Sequence, residues 1–214
     1  MRKVILDLAV TLDGFIEGPN GEVDWCIMDE EMAFEQFLSE IDIILYGRKS
    51  YELWGEYTPD DHASENEQQI WTLIHSKKKI VFSTTQTDPS GEVHYINSNI
   101  EAEIRKLKQG HGKDVWLYGG ASLISTFINL GLVDEYRLSV HPVVLGAGKP
   151  LFESLRERLS LGLTDVRRYS SGVVQLVYRA RLPILWVCDG IVKVDKSDVL
   201  RGNCQSCGFG ASQN

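Results

Sequence analysis

The first half of the chain alternates short apolar runs with segments in which apolar residues recur at helical spacing. The runs from Lys3 to Val10 and from Ile41 to Tyr46 predict two buried strands. Between them, the apolar positions from Ala33 to Ile41 recur every three or four residues, which predicts a helix. Asp29 precedes this segment and suits a helix cap.

The same alternation continues before it changes near the end. Strands are predicted at Lys79–Ser83, Val93–Ile96, Asp114–Tyr118 and Asp134–Val140, with helices over Ala63–Ile74, around Ile100–Leu107 and over Ala121–Leu130. Thr164–Tyr169 and Val173–Arg179 then flank Ser170-Ser171-Gly172, which predicts a hairpin. The sequence therefore predicts an α/β fold with a mixed, mostly parallel sheet, flanked by helices and ending in an antiparallel hairpin.

The pattern stops at about Leu182. A short apolar run containing Pro183 is followed by scattered charges, Gly and Ser without sustained periodicity. Residues 1–181 are therefore expected to form one domain, and residues 182–214 an atypical tail. Cys204 and Cys207 lie in this tail among Gly and Ser, without the further ligands of a zinc site or the strand–helix context of a redox motif.

Composition narrows the class of protein. The 214 residues are 43% apolar and 24% charged, which is typical of a soluble globular protein, and the net charge of −8 argues against a nucleic-acid partner. The N-terminus lacks a signal-peptide core, and no run approaches the roughly 18 apolar residues of a membrane span. We therefore expect a cytoplasmic protein without membrane contact. The five histidines are scattered, so no metal site is predicted.

One motif indicates an anion site. Gly47-Arg48-Lys49-Ser50 follows the second predicted strand and precedes a helix-like stretch. A helix start presents unpaired N–H groups and the positive end of the helix dipole, and Arg48 and Lys49 add charge. The alternative is a surface turn with two solvated cations, because short motifs often occur by chance.

Two further strand ends carry similar chemistry. Gly119-Gly120-Ala121-Ser122 follows a predicted strand and opens a helix, and its glycines let a phosphate approach the backbone closely. Ligands of open α/β sheets bind at the carboxyl ends of the strands, so both turns could share one pyrophosphate. Ser83-Thr84 follows another strand and could meet a 2′-phosphate, as in NADP, beside Arg48 and Lys49. An ordinary polar loop is the alternative for Ser83-Thr84.

The loop after the first strand supplies candidate catalytic groups. Asp13, Asp24 and Asp29 could bind a substrate amine or supply a proton, and we predict Asp13 and Asp29 as catalytic. Trp25 could stack on a flat ring, so Asp24 and Trp25 are predicted to bind substrate. The alternatives are a solvated acidic loop and a tryptophan that only fills the core.

Together these motifs resemble the dihydrofolate reductase superfamily. The likeness is greatest to the reductase domain at the C-terminal end of the bifunctional riboflavin-biosynthesis deaminase/reductase, and to its stand-alone bacterial relatives. It covers Met1 to about Arg181. The residues that carry it are Thr11-Leu12-Asp13-Gly14, Gly47-Arg48-Lys49-Ser50, Ser83-Thr84, Gly119-Gly120-Ala121-Ser122-Leu123 and the segment from Pro142 to Phe152.

The resemblance implies an NADPH-dependent reductase similar to the 5-amino-6-(5-phosphoribosylamino)uracil reductase of riboflavin biosynthesis. Hydride would pass to a pyrimidine-, pterin- or ribosyl-type substrate, and the protein would be a homodimer. The implied cofactor-binding residues are Ala9, Val10, Gly14, Ile16, Gly47, Arg48, Lys49, Ser50, Ser83, Thr84, Gly119, Gly120, Ala121, Ser122 and Leu123. Two alternatives are a non-catalytic nucleotide-binding dimer and a true dihydrofolate reductase.

Overall fold

The computed structural model describes residues 1–28, 30–85 and 93–180, together with the backbone of residues 184–187 and 190–193. Asp29, Cys204 and Cys207 lie outside the described residues. The strands are β1 Val4–Thr11, β2 Phe15–Glu17, β3 Ile41–Gly47, β4 Lys78–Phe82, β5 His94–Ile96, β6 Asp114–Gly119, β7 Glu135–His141, β8 Lys149–Pro150, β9 Leu161–Arg168, β10 Val174–Ala180, β11 Ile184–Val187 and β12 Gly190–Lys193. The helices are α1 Phe34–Glu40, α2 Arg48–Ser50, α3 Glu65–His75, α4 Ile100–Gln109 and α5 Ala121–Asn129; α2 continues as a π-helical turn, Tyr51–Gly55.

Eight of these strands form one sheet in the order β5-β4-β3-β6-β1-β7-β10-β9. The six strands from β5 to β7 run parallel, and β10 pairs antiparallel with both β7 and β9. The predicted α/β fold is confirmed: a mixed, mostly parallel sheet that ends in an antiparallel hairpin. Because the parallel strands share a direction, their carboxyl ends meet at one edge, and the predicted motifs meet there too.

The two faces of the sheet bury separate apolar clusters. Successive side chains of a strand point to opposite faces, so Ile5 and Leu6 of β1 enter different clusters. Leu6 packs in the cluster that contains Phe127 of α5, and Ile5 in the one that contains Phe37 of α1. Helices therefore cover both faces, which explains why the central strands are almost continuously apolar.

Three local features differ from the sequence prediction. Helix α1 begins only at Phe34, because Ala33 adopts a left-handed conformation with φ of 47°. Strands β2 and β8, which the sequence did not predict, pair with each other through Phe15 and Pro150. Strands β11 and β12 pair antiparallel within the segment predicted to be an aperiodic tail. Among the described residues, no helix has the length and apolar character needed to cross a bilayer.

Candidate functional site

A cleft of about 1240 Å³ opens at the carboxyl ends of the parallel strands and extends over the sheet face toward α1. Most of the predicted site residues line it: Ala9, Ile16, Trp25, Gly47, Arg48, Lys49, Ser50, Ser83, Thr84, Gly120, Ala121, Ser122 and Leu123. Val10, Gly14 and Gly119 do not. Val10 belongs to the buried core, and the Gly14 carbonyl accepts a hydrogen bond from the Leu151 amide at 2.9 Å.

The two predicted glycine turns touch each other. A Cβ atom built on Gly47 would lie 3.4 Å from the Gly119 carbonyl oxygen and 3.5 Å from the Gly120 nitrogen. A Cβ on Gly120 would lie 3.2 Å from the Ser50 hydroxyl oxygen. Gly119 itself has a φ of 115°, a conformation that side chains disfavour. Glycine at these positions therefore lets two neighbouring strand ends, those of β3 and β6, meet without side chains between them.

The Ser83 motif occupies the next strand end, after β4. Its backbone is fixed from the side of β5, since the Ser83 amide donates to the Ile96 carbonyl at 3.2 Å and the Asn97 side chain donates to the Ser83 carbonyl at 2.8 Å. The Ser83 hydroxyl accepts from the Thr85 amide at 3.3 Å. Asn97 also lines the cleft, although the sequence analysis did not single it out. Three adjacent strand ends, β4, β3 and β6, thus present the three predicted motifs side by side.

Arg48 is already paired within its own helical turn. One guanidinium nitrogen, Nη1, lies 2.8 Å from both carboxylate oxygens of Glu52. Both side chains are partly exposed, at 37% for Arg48 and 44% for Glu52, so this ion pair adds little to stability. A ligand phosphate at this turn would compete with Glu52 for Arg48.

Asp13 lies outside the cleft and holds two loops together. Its carboxylate accepts hydrogen bonds from the Thr11 hydroxyl at 2.7 Å, the Gly146 amide at 2.7 Å and the Leu145 amide at 3.3 Å. The Thr11 hydroxyl and these amides hold the pKa of Asp13 below its ordinary value. This position ties the β1–β2 loop to the segment before β8. Asp13 is therefore not among the residues that the structure brings together in the cleft.

The other residues predicted from this loop do not all lie in the cleft. Trp25 lines the cleft and packs edge-on against His141, with ring centroids 5.3 Å apart. The His141 ring is completely buried, and its Nδ1 lies 2.9 Å from the Ser139 carbonyl oxygen. Asp24 is exposed and does not line the cleft. The predicted role of Asp29 falls on a residue outside the described ranges.

A row of polar residues, which no sequence motif pointed to, lies on the sheet face that forms the cleft floor. We call these residues the polar row: Asp7, Arg137, Ser139, His141, Gln175 and Arg167. Strand register aligns Asp7 with Arg137, and Ser139 with Gln175. One sequence pattern could have indicated the polar row: in β7 every second residue is polar, although the strand is buried.

Aromatic side chains form one wall of the cleft. Trp54 and Trp71 lie nearly parallel, with ring planes at 12° and centroids 6.3 Å apart, and Tyr57 packs against Trp71 at 4.7 Å. All three line the cleft. Tyr118 lines it too, and burial raises the pKa of its hydroxyl well above the ordinary value, so that hydroxyl stays protonated. Within the described ranges, no group of three His, Cys, Asp or Glu side chains is arranged to hold a metal ion.

Sequence comparison agrees with this architecture. The profile of the RibD C-terminal domain matches residues 2–175. The chain belongs to this family. The uncharacterized protein YyaP of Bacillus subtilis (strain 168) is 63% identical over 177 residues, covering 83% of this chain and 94% of YyaP. The uncharacterized protein YwjB of the same organism is 32% identical over 184 residues, covering 83% of this chain and 97% of YwjB.

Solved structures share the fold of this family member. A protein from Shewanella sp. PV-4 assigned to riboflavin biosynthesis matches with a TM-score of 0.67 at 23% identity, covering 85% of this chain and 99% of that one. The pyrimidine reductase-like protein of Corynebacterium diphtheriae matches with a TM-score of 0.60 at 14% identity, covering 84% and 92%. The deaminase/5-amino-6-(5-phosphoribosylamino)uracil reductase of Thermotoga maritima matches with a TM-score of 0.59 at 18% identity, covering 84% and 57%. At these identities the likeness shows the fold alone.

Proposed function

We propose that this protein is an NADPH-dependent reductase that transfers hydride to a pyrimidine-, pterin- or ribosyl-type substrate. The observation that carries the proposal is the contact between the Gly47 turn and the Gly119–Gly120 turn at the strand ends. It creates a surface of bare backbone beside the N-terminus of α5, where a pyrophosphate would fit. Family membership and the named relatives with solved structures support a reductase.

The residues present suit a dinucleotide. Small-molecule sites usually occupy about 300–1000 Å³. The cleft of about 1240 Å³ therefore has room for a dinucleotide and a substrate together. The backbones of Gly47, Gly120 and Ala121 and the Ser50 hydroxyl would hold the pyrophosphate. Ala9 and Ile16, which line the cleft from β1 and β2, would contact the nicotinamide.

Arg48, Lys49, Ser83 and Thr84 would select NADPH over NADH. They belong to the neighbouring strand ends β3 and β4 and line the same cleft, so a 2′-phosphate between them would meet two cations and two hydroxyls. Arginine binds phosphate through paired hydrogen bonds, which a ribose hydroxyl cannot replace. Arg48 would exchange Glu52 for the phosphate on binding.

When bound, NADPH supplies a hydride for a C=N or C=O group. The protein orients the two reactants and excludes water. Trp25 and the aromatic wall of Trp54 and Trp71 would hold a flat ring. Asp13 is not part of the proposed machinery, because its carboxylate already accepts hydrogen bonds from Thr11 at the end of β1 and from Gly146 in a distant loop.

Fluorescence titration tests the cofactor part of the proposal. Wild-type protein should bind NADPH saturably and more tightly than NADH, and the double variant Arg48→Ala/Lys49→Ala should lose that preference. Arg105→Ala/Lys106→Ala on α4 is the matched control, since neither residue lines the cleft. Absence of saturable binding, or a double variant that still prefers NADPH, would contradict the proposal.

A substrate panel tests the catalytic part. NADPH oxidation is followed by nicotinamide absorbance with reducible pyrimidines, pterins and ribosyl compounds. Turnover of one class identifies the substrate type, and turnover of dihydrofolate alone would favour a true dihydrofolate reductase. Saturable NADPH binding without turnover of any compound would favour a non-catalytic nucleotide-binding protein. The proposal includes a homodimer, which light scattering tests directly.

A further inference from the structure

Asp7 is a buried carboxyl group in the cleft floor that the predicted machinery does not use. It is the fourth residue of the central strand β1, between Leu6 and Leu8, and its residue surface is 6% exposed. It nevertheless lines the cleft. A strand at the centre of a sheet would ordinarily carry an apolar residue here, because a buried acid costs folding free energy.

The Asp7 carboxyl makes no hydrogen bond to any residue that the structure describes. The backbone carbonyl of Asp7 accepts from the Trp116 indole nitrogen at 2.8 Å, which fixes the strand but leaves the side chain open. Among the described residues, side-chain polar atoms that lack both solvent access and a partner occur only in Tyr46 and Ser171. The Asp7 carboxyl oxygens therefore keep access to solvent, and the cleft is the space that Asp7 lines.

The two arginine side chains near Asp7 form ion pairs with other carboxylates. Arg137 is the register partner of Asp7 across β1 and β7, yet its guanidinium donates to Glu135 at 2.8 Å and to Glu40 at 3.0 Å. Burial opposes ionisation of Glu135, but the hydrogen bond and charge of Arg137 hold the pKa of Glu135 below its ordinary value. Arg167 of β9 donates to Asp165 at 3.0 Å.

Burial is consequently the largest influence on the pKa of Asp7. It raises the pKa of Asp7 to about 7, against the opposing charge of Arg137. The charges of Glu40 on α1 and Glu135 on β7 raise the pKa further, and Arg167 lowers it. Burial raises the pKa of the Tyr169 hydroxyl, and the charge of Asp7 raises it further, while Arg167 opposes the shift. A buried carboxyl group that is half protonated near neutrality and open to a cleft is typical of a general acid.

We propose that Asp7 is the general acid of this cleft and that its substrate is an uncharged, planar nitrogen heterocycle with a reducible C=N bond. This inference rests on the proposed function. The polar row favours an uncharged ring over a phosphate at this point, because Glu135 and Glu40 already compensate Arg137. Ser139 and Gln175, one register position along the row, would bind the ring edge beside Asp7.

The proton balance of the step is simple. The protonated Asp7 donates its O–H to the C=N nitrogen. As hydride reaches the carbon, the C–H and N–H bonds form, the C=N π bond becomes a single bond and the Asp7 O–H bond breaks. The hydride, which NADPH would supply when bound, would account for the two electrons by which the substrate is reduced. Asp7 is left as a carboxylate and regains a proton from water that enters the open cleft.

The first experiment measures the protonation of the Asp7 carboxyl group directly and needs no substrate. In protein labelled with ¹³C at the aspartate carboxyl carbons, one resonance should titrate near pH 7, both with and without NADPH. Asp7→Asn should remove that resonance, whereas Asp61→Asn in an exposed loop should not. An Asp7 resonance that titrates in the ordinary range near pH 4 would overturn the proposal.

The second experiment uses whichever panel compound wild-type protein reduces. Asp7→Asn should lower kcat/KM by about 100-fold or more and abolish the fall in rate above pH 7, while its NADPH affinity stays within about threefold of wild type. Asp7→Glu should restore part of the rate. An Asp7→Asn variant with the wild-type rate and pH profile would overturn the assignment of Asp7 as the general acid. The two proposals can be contradicted independently. Absence of NADPH binding by wild-type protein would contradict the proposed reductase function, but it would not bear on the raised pKa of Asp7.

Discussion

Gly47 lies against Gly120, so that a Cβ atom on Gly47 would be 3.5 Å from the Gly120 nitrogen. Gly47 ends β3, and Gly120 directly follows the neighbouring strand β6 and precedes α5. The backbone of Gly47 itself is extended, with φ of −72° and ψ of 153°, which any residue can adopt. A Cβ atom alone would therefore fit at ordinary contact distance, and what glycine provides here is a backbone without further side-chain atoms beside the second turn.

We expect Gly47→Val to weaken NADPH binding by at least tenfold. The added methyl groups would occupy the bare backbone between the two turns, where the pyrophosphate is proposed to bind. The free energy of unfolding should fall by only about 1–3 kcal/mol, as for other overpacked sites. Gly110→Ala is the control, because Gly110 has a similar φ of −71° and follows α4 away from the cleft. Fluorescence titration and urea denaturation measure the two effects, and an unchanged affinity would contradict the proposed pyrophosphate site.

We expect Glu52→Gln to strengthen NADPH binding relative to NADH. Glu52 accepts from Arg48 through both carboxylate oxygens, so it would compete with the proposed 2′-phosphate for the same guanidinium. Loss of this competition should favour NADPH by about 0.3–1 kcal/mol, the usual scale of an exposed ion pair. Glu101→Gln is the matched control, since Glu101 pairs with Arg105 at the same spacing on α4. A lower preference for NADPH in Glu52→Gln would show that Glu52 orients Arg48 and does not compete for it.

We expect Asp13→Asn to lower the melting temperature and to leave turnover within about threefold of wild type. The variant weakens the hydrogen bonds that join the β1–β2 loop to the Gly146 segment, but it changes no residue that lines the cleft. Since the folded-state pKa of Asp13 is depressed, its stabilising effect is present above the pKa of the unfolded chain. The effect should disappear as the pH falls through the folded-state pKa. Calorimetry at pH 7 and pH 3 measures the difference, and a large loss of kcat without loss of stability would restore Asp13 as a catalytic residue.

We expect Asp7→Asn to stabilise the protein at pH 8. The folded-state pKa of Asp7 is raised from 3.8 to about 7, so the folded state loses stability as the pH rises through this window. Each pKa unit corresponds to about 1.4 kcal/mol, which sets a gain of about 2–4 kcal/mol for the uncharged amide. The gain should shrink as the pH falls toward the unfolded-state pKa of 3.8 and vanish below it, where the acid is protonated in both states. Urea denaturation at the two pH values measures it, and a variant that is less stable than wild type at pH 8 would show that the Asp7 carboxylate is stabilised in the fold.

Local pattern was sufficient for most of the fold. The alternation of apolar strands with helical spacing predicted the parallel half of the sheet, because a strand buried on both faces must be apolar throughout. The ends of helices and strands were predicted less accurately. At Ala33, for example, a left-handed backbone conformation delays the start of α1. The pairing of β2 with β8 could not be predicted, since two strands of three and two residues carry no measurable period.

The α/β class, the family resemblance and the three strand-end motifs could be predicted from the sequence, because glycine turns and their cations are visible in adjacent residues. The different environments of the acidic side chains, in contrast, became visible only in the folded chain. Asp13 and Asp7 are both carboxylates of the first strand and its loop, yet one accepts hydrogen bonds from distant loops and the other faces the cleft. Burial, register and partners arise from residues more than a hundred positions away, such as Arg137 and Gly146. A carboxylate's role depends on those partners, and no local pattern contains them.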